Sequence, residues 1–194
     1  KIILKEKPDV LLILGDTNSG LSAIPAAHHG VKIIHLEAGM RAFDFRMPED
    51  KNRIMIDHLS SILLPYTDYS RENLLRENIH PGKIYVVGNP IIEVINYYLP
   101  KIEKSKILQK MNLKTKDYFL VTAHRSENVD DLKNLKKILL TLQKLYKKFN
   151  KRIIYPMHPR TLSKIKKLKI PTGIEIIKPL GFFDFTKLEK NAFC

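Results

Sequence analysis

Short apolar runs alternate with longer stretches of helical periodicity along this chain of 194 residues. The apolar runs are rich in Ile, Leu and Val, as is typical of strands that are buried on both faces of a parallel sheet. Seven of them predict strands: Val10–Leu14, Lys32–Leu36, Ile62–Pro65, Ile84–Val87, Tyr118–Val121, Arg152–Pro156 and Ile174–Ile177. Alternation of strands with helices favours an α/β fold with parallel sheets.

The segments between the strands predict helices over Ser19–His29, Glu49–Ser60, Tyr69–Glu77, Ile91–Leu99 and Asp131–Phe149. The last is the clearest, because its leucines recur at helical spacing among lysines. Asp130 and Asp131 mark its start, where an acidic side chain is stabilised by the positive end of the helix dipole.

A lysine-rich segment, 100–116, separates two sets of strands and helices. It begins at Pro100, which is expected to end the preceding helix, and it leads into a new strand. We therefore predict a domain over 1–99, a linker over 100–116 and a second domain over 117–194. Composition alone is compatible with one or two domains, and the 44% hydrophobic content argues against global disorder.

Charge and composition narrow the function. No apolar run approaches the roughly 18 residues of a membrane span, so no membrane partner is predicted. The net charge is +14, but the lysines occupy polar helical positions without the interleaved aromatics of a single-strand binding surface, so nucleic acid is not the predicted partner. A positive surface would also favour a phosphate-bearing ligand. The single cysteine, Cys194, rules out an intrachain disulfide and suits the cytoplasm.

Three acidic positions lie where ligands bind in open parallel sheets. Asp16 and Glu37 follow the first two predicted strands, and Glu49 with Asp50 opens a predicted helix. Carboxylates gathered at this edge suggest acid–base chemistry. Structural interpretations stay open: Asp16 would suit a helix N-cap, and Glu49 would be stabilised by the helix dipole in any case. Asp50 is the less probable catalytic member of its pair.

Several basic groups could assist. Arg41 and Arg53 follow the acids closely, and they would either bind phosphate or hold the carboxylates in ion pairs. His124 and Arg125 follow another predicted strand, in the kind of strand-to-helix loop that binds phosphate. His158 occupies a similar position after the next strand. No metal-ligand spacing and no Gly-x-Gly-x-x-Gly segment are present, so neither a metal nor a cofactor is predicted.

Four segments together carry a family resemblance: Gly15-Asp16-Thr17, His35 to Arg41 (His-x-Glu-Ala-Gly-x-Arg), Pro48 to Arg53 (Pro-Glu-x-x-Asn-Arg) and Thr122 to Asn128 (Thr-Ala-His-Arg-x-Glu-Asn). In this combination and order the chain resembles the non-hydrolysing UDP-N-acetylglucosamine 2-epimerases. The resemblance implies two Rossmann-like parallel-sheet domains facing a cleft, a GT-B-like fold. It also implies inversion at C2 of a UDP-sugar by elimination and readdition of UDP, in the synthesis of surface polysaccharides.

By that resemblance, the catalytic residues are Asp16, Glu37, Glu49 and His124, with the histidine contacting the diphosphate. The remaining matched positions are expected to bind the substrate: Arg41, Arg53, Arg125, Glu127 and, more weakly, His158. The complete enzyme is expected to be a homodimer. Asp57 and His58 lie one to two turns after Arg53 on the predicted helix, so part of this pair is expected to share its face.

The resemblance also indicates an internal fragment. The sequence starts after the family's Gly-Thr-Arg-Pro-Glu-type loop and stops at Cys194, before its Asp-Ser-Gly-type segment, so both domains would be truncated and the 194 residues alone inactive. Four alternatives stay open. They are a 2-epimerase of a 6-deoxy or 2,3-diacetamido uronic acid sugar, a hydrolysing 2-epimerase, a sugar-nucleotide glycosyltransferase of similar shape, and an inactive remnant.

Overall fold

The chain forms two α/β units, 1–94 and 95–194. The computed structural model describes residues 2–123, 129, 131–157, 159–165 and 168–194. Each unit holds a three-stranded parallel sheet, which confirms the predicted α/β class with two parallel sheets. Among the described residues, no helix has both the length and the apolar character needed to cross a bilayer.

The first sheet runs in the order β1 (Val10–Leu14), β2 (Lys32–Leu36) and β3 (Ile62–Leu64). Leu14 pairs with Leu36, and Leu36 pairs with Leu64, so the three carboxyl ends lie level. Helices surround this sheet, and a short 3₁₀ segment, Asn18–Ser22, leads directly into the second of them. These helices are α1 (Ile2–Glu6), α2 (Ala23–His28), α3 (Pro48–Leu59) and α4 (Asp68–Arg76).

The second sheet runs in the order β4 (Tyr118–Leu120), β5 (Arg152–Pro156) and β6 (Ile174–Ile177). The division between the units falls inside helix α5 (Ile91–Glu103). Four further helices follow in the described part of the chain: α6 (Ile107–Lys110), α7 (Leu132–Phe149), α8 (Pro159–Ile165) and α9 (Phe182–Asn191). The apolar stripe of α7 packs on β5 to form the main core of this unit, from Leu135, Leu139, Leu142, Ile153 and Tyr155.

Two predictions about single elements are wrong. The segment 84–87 is not a strand: it runs beside β3 through a single bridge, between Leu63 and Ile84. Tyr85 N–H donates to Leu63 O at 2.9 Å, but the next ladder bond would need an N–H at Pro65, which has none. Pro100 does not end its helix either, because α5 continues to Glu103 and buries Ile102 completely.

The domain limits of the whole protein stay a prediction. The two units meet within α5, whereas the predicted linker, 100–116, begins several residues later and is partly helical.

Candidate active site

Asp16 and Glu37 lie just beyond the carboxyl ends of β1 and β2. The sheet's hydrogen bonding continues into both turns, because Gly15 N–H donates to Leu36 O at 3.1 Å and Glu37 N–H donates to Leu64 O at 3.1 Å. The backbone that carries each acid is therefore fixed by the neighbouring strand. This is the edge at which parallel α/β sheets bind ligands.

The Glu37 carboxylate lies over Gly15. A Cβ atom placed on Gly15 would come within 2.8 Å of Glu37 Oε2, and Gly15 has a φ of +73°. Glu37 itself has a φ of +71°, in the left-handed region that non-glycine residues rarely adopt. Backbone of this kind is held in place by its surroundings and is common at functional sites.

Arg53, from α3, joins the two acids. Its Nη2 donates to Asp16 Oδ2 at 2.5 Å, its Nη1 donates to Glu37 O, and Nη1 lies 3.5 Å from Glu37 Oε2. The guanidinium is 7% exposed, whereas the Asp16 and Glu37 side chains are 27% and 29% exposed. Two carboxylates therefore flank one buried cation and remain open to solvent. Arg53, not a helix N-terminus, holds the Asp16 carboxylate.

Helix α3 contributes further polar side chains. Pro48 occupies its first turn, as expected for this residue, and Glu49 is exposed one turn before Arg53, on the same face. Asp50 is buried and accepts a hydrogen bond from Ala42 N–H at 3.0 Å. Asn52 donates to Asp16 O at 3.0 Å. Asp50 thus supports a loop, and the catalytic role of Glu49 stays a prediction.

Behind the acids lies a fully buried pair, His35 and Asp57, with no side-chain exposure. His35 Nδ1 is 2.6 Å from Asp57 Oδ1, and His35 Nε2 donates to Gly15 O at 2.9 Å. The second Asp57 oxygen accepts from Gly39 N–H at 3.2 Å and from Arg41 Nη2 at 2.7 Å. The carboxylate of Asp57 therefore contacts the backbone that follows β2 and, through His35, the backbone that follows β1.

The Arg41 guanidinium is also buried. Its Nε and Nη2 donate to the two carboxylate oxygens of Glu77, each at 2.7 Å, and its side chain is only 2% exposed. Burial alone would lower the pKa of Arg41, but hydrogen bonds and negative charge from Glu77 and Asp57 outweigh it and raise the pKa. Arg41 therefore stays charged inside an ion-pair network. Its contact with a substrate stays a prediction.

An open cavity of about 340 Å³ adjoins Glu37. Its lining combines ionic, hydroxyl and aromatic side chains: Glu37, Met40, Arg41, Tyr66, Thr67, Tyr69, Ser70 and Asn89. Burial raises the pKa of the Tyr66 hydroxyl, and the charge of Glu37 adds to the effect, while Arg53 opposes it. The hydroxyl therefore keeps its proton at neutral pH and can donate a hydrogen bond beside the Glu37 carboxylate.

The amino-acid sequence matches a known protein family over its whole length. The family model described as UDP-N-acetylglucosamine 2-epimerase covers residues 1–194. The chain belongs to this family. The family resemblance given by the four sequence segments is thereby confirmed.

Individual members of the 2-epimerase family are similar in sequence and structure. A UDP-N-acetylglucosamine 2-epimerase of Methanococcus maripaludis is 43% identical over 99% of this chain and 55% of its own length. The Rickettsia bellii UDP-N-acetylglucosamine 2-epimerase structure gives a TM-score of 0.92 at 41% identity, over 100% of this chain and 52% of that one. The Methanocaldococcus jannaschii enzyme, in complex with UDP-GlcNAc and UDP, gives 0.90 at 43% identity, over 98% and 55%. The chain spans about half the length of these relatives.

Some predicted site residues of this 2-epimerase family member lie outside the described residues: His124, Arg125, Glu127 and His158. Their roles stay predictions. Within the described part of the chain, no three His, Cys, Asp or Glu side chains gather in an arrangement that could hold a metal ion.

Sequence reasoning placed Asp57 only on a helix face, and it did not include His35, Asn52 or Tyr66 among the site residues. A signal was present for two of them. His35 is the one polar side chain inside the apolar run from Ile33 to Leu36, and Tyr66 follows the third predicted strand as Asp16 and Glu37 follow the first two. Asn52 lies in a matched motif, but nothing in the sequence shows that it reaches the Asp16 carbonyl.

Proposed function

We propose that the whole protein, at the length of its relatives, is a UDP-N-acetylglucosamine 2-epimerase that works by elimination and readdition of UDP. The observation that carries the proposal is the pair of half-open carboxylates, Asp16 and Glu37, on either side of Arg53 at the carboxyl edge of the first sheet. The relative and the UDP-GlcNAc complex named above support the choice of substrate.

The chemistry requires a base and an acid at C2. A carboxylate removes the C2 proton, the C–H electron pair forms a C1=C2 double bond, and the anomeric C–O bond breaks with its electrons passing to UDP. Return of the same UDP oxygen to C1, with a proton delivered to the opposite face of C2, completes the inversion. Asp16, Glu37 and Glu49 are the candidates for these proton transfers.

Arg53 has a supporting part in this scheme. Its guanidinium contacts two neighbouring carboxylates and holds them at a fixed separation, so that one of them is placed to accept a proton. The departing diphosphate needs cationic donors, and we assign this role to His124 and Arg125 by resemblance to the family. Arg41, Glu127 and His158 remain proposed substrate contacts on the same basis.

Other UDP-N-acetyl sugars are less favoured as substrates, because both the 43% identical relative and the structural neighbour with bound sugar nucleotide are named for UDP-N-acetylglucosamine. A hydrolysing enzyme would share the elimination step but would release free UDP and N-acetylmannosamine. A homodimer and a cytoplasmic location are further proposals. Light scattering of the whole protein tests the first, and the single cysteine supports the second.

Turnover in deuterated water tests the mechanism. The whole protein, given UDP-N-acetylglucosamine, should form the manno epimer with one solvent deuterium at C2, read by proton NMR and mass spectrometry. Asp16→Asn should abolish the exchange together with the inversion. Retention of the original hydrogen through turnover would exclude proton removal at C2. Accumulation of free UDP in proportion to product would identify the hydrolysing reaction instead.

A further inference from the structure

We propose that His35 and Asp57 are positioning residues that set the relative placement of the Asp16 and Glu37 carboxylates, an inference that rests on the proposed function. Neither residue can touch a substrate, because neither side chain has any exposure. Their influence would pass through the backbone of the two loops that carry the acids.

The contacts run from one carboxylate to both loops. Asp57 Oδ1 bonds His35 Nδ1 at 2.6 Å, and His35 Nε2 donates at 2.9 Å to the carbonyl of Gly15, the residue immediately before Asp16. Asp57 Oδ2 accepts from the N–H of Gly39, two residues after Glu37. One side chain of α3 therefore ties the turn after β1 to the turn after β2.

The hydrogen-bond geometry fixes which atoms donate. A carbonyl oxygen only accepts, so His35 Nε2 must carry a proton. On the other side of the ring, Nδ1 lies 2.6 Å from Asp57 Oδ1, so the ring bonds to both sides at once. Removal of either bond would leave a buried polar group without a partner, which is costly. The position therefore selects a side chain with two hydrogen-bonding nitrogens in this spacing.

Both loops adopt the left-handed backbone conformation, which strains Glu37 but not Gly15. Gly15 and Glu37 both have φ values above +70°, at +73° and +71°. Residues in this region persist when their surroundings over-determine them. On the opposite side, Arg53 contacts the same two loops from the same helix, four positions before Asp57. Helix α3 thus holds the acids in two ways. Arg53 contacts their loops and carboxylates directly, and Asp57 contacts the backbone of the loops, in part through His35.

Two substitutions of His35 test its bonds to Gly15 and to Asp57 separately. In His35→Gln the amide nitrogen can reach the place of Nε2 and donate to Gly15 O, whereas in His35→Asn it can reach only the place of Nδ1. We expect kcat of the whole protein to fall about tenfold or less in His35→Gln and about 100-fold in His35→Asn. KM should stay within about twofold in both, because no substrate contact is lost.

Asp57→Ala is the second variant, since alanine can bond neither His35 nor Gly39. It should also lower kcat about 100-fold with little change in KM. Ser60→Ala is the matched control, because Ser60 is also buried and follows the same helix, and the hydroxyl that the substitution removes donates to Ile56 O. Its turnover should stay within about twofold. Equal losses in His35→Gln and His35→Asn, or losses in Ser60→Ala of the same size, would overturn the proposal.

Crystal structures of the variants give a readout that is independent of activity. The Asp16 carboxylate should keep its bond to Arg53 in His35→Gln and should leave it in His35→Asn and Asp57→Ala. An unmoved Asp16 in all three would refute the positioning role, whatever the protein turns over. Displacement of Asp16 in a protein that fails to invert C2 would refute the proposed function alone and leave the positioning role standing.

Discussion

The two units share one sheet arrangement but bury different kinds of side chain. Of the ten buried polar or charged residues in the described part of the chain, eight belong to the first unit. Its central strand, β2, buries His35, and α3 buries Arg53 and Asp57 beside it. The central strand of the second unit, β5, buries Ile153 and Tyr155 under the leucines of α7 and buries Ile154 in a second apolar cluster.

This difference predicts that the first unit mainly fixes the geometry of polar side chains, whereas the second mainly contributes to the free energy of unfolding. Buried polar networks cost desolvation free energy, but when every member has a partner they fix one arrangement of side chains. A continuous apolar core contributes more to the free energy of unfolding and places no charged group. We therefore expect changes in the first unit to alter turnover more than stability, and changes in the core of the second unit to do the opposite.

The largest expected effect is on turnover, from the acids of the first unit. Asp16→Asn, Glu37→Gln and Glu49→Gln should each lower kcat of the whole protein at least ~100-fold, the scale of a lost general acid or base. Asp50→Asn should be milder, because Asp50 holds only Ala42. Glu72→Gln on the exposed face of α4 is the control. Steady-state kinetics with UDP-N-acetylglucosamine measure these effects. A near-normal rate in any one of the three catalytic variants would show that the substituted acid has a structural role.

The second effect is on stability, from the core of the other unit. Leu139→Ala should lower the free energy of unfolding by about 2–5 kcal/mol, because a completely packed leucine is replaced by a cavity. Its neighbour Leu140 is 45% exposed, and Leu140→Ala should cost less than about 1 kcal/mol. Urea unfolding measures both. Turnover per folded molecule should be unchanged, and a large fall in it would break the proposed division between the units.

A third prediction sharpens the comparison within the first unit. Gly15 and Gly30 have almost equal φ values, +73° and +72°, but a Cβ would meet Glu37 Oε2 only at Gly15. Alanine at either position should cost about 1 kcal/mol of stability. Only Gly15→Ala should also lower kcat, by roughly tenfold or more, because it displaces a carboxylate. Equal activity of the two alanine variants would show that the place of Glu37 over Gly15 does not matter for catalysis.

The fold was largely predictable because strand identity depends on local apolar pattern. The bounds of β1, β2, β5 and β6 match the apolar runs, and α3 differs from its predicted range by one residue at each end. The short helix α6 and the helix α9 were missed because their apolar residues are few or contiguous and show no clear 3.6-residue period. The segment 84–87 has the apolar pattern of a strand, but it forms no continuous hydrogen-bond ladder with β3, because Pro65 of the neighbouring segment has no N–H to donate.

The candidate site was predictable only in part, for a similar reason. Residue type and position after a strand identified Asp16 and Glu37. No local pattern shows that Arg53 lies between them, because Arg53 is 16 and 37 positions away from its two partners in the sequence. The link from Asp57 to the Gly15 carbonyl is equally hidden, because it consists of two successive hydrogen bonds through His35. The capping alternative for Asp16 could be resolved only by seeing its partner.

The smallest predicted effect concerns charges at the surface of the second unit, in contrast to the buried charges of the first. Hydrogen bonds from Lys187 and Lys190 lower the pKa of Glu103 to about 2, against a partial desolvation that raises it. A lowered pKa means that the carboxylate stabilises the fold above its ordinary titration range, and that this stabilisation is lost as the pH falls through about 2. Glu103→Gln should therefore lower the melting temperature by roughly 1–2 °C at neutral pH and low salt. The difference should shrink in high salt and towards pH 2. Glu189→Gln, exposed on α9, is the control. A deficit in Glu103→Gln that stays constant with both pH and salt would show that lost packing, and not the ion pairs with the two lysines, accounts for the effect.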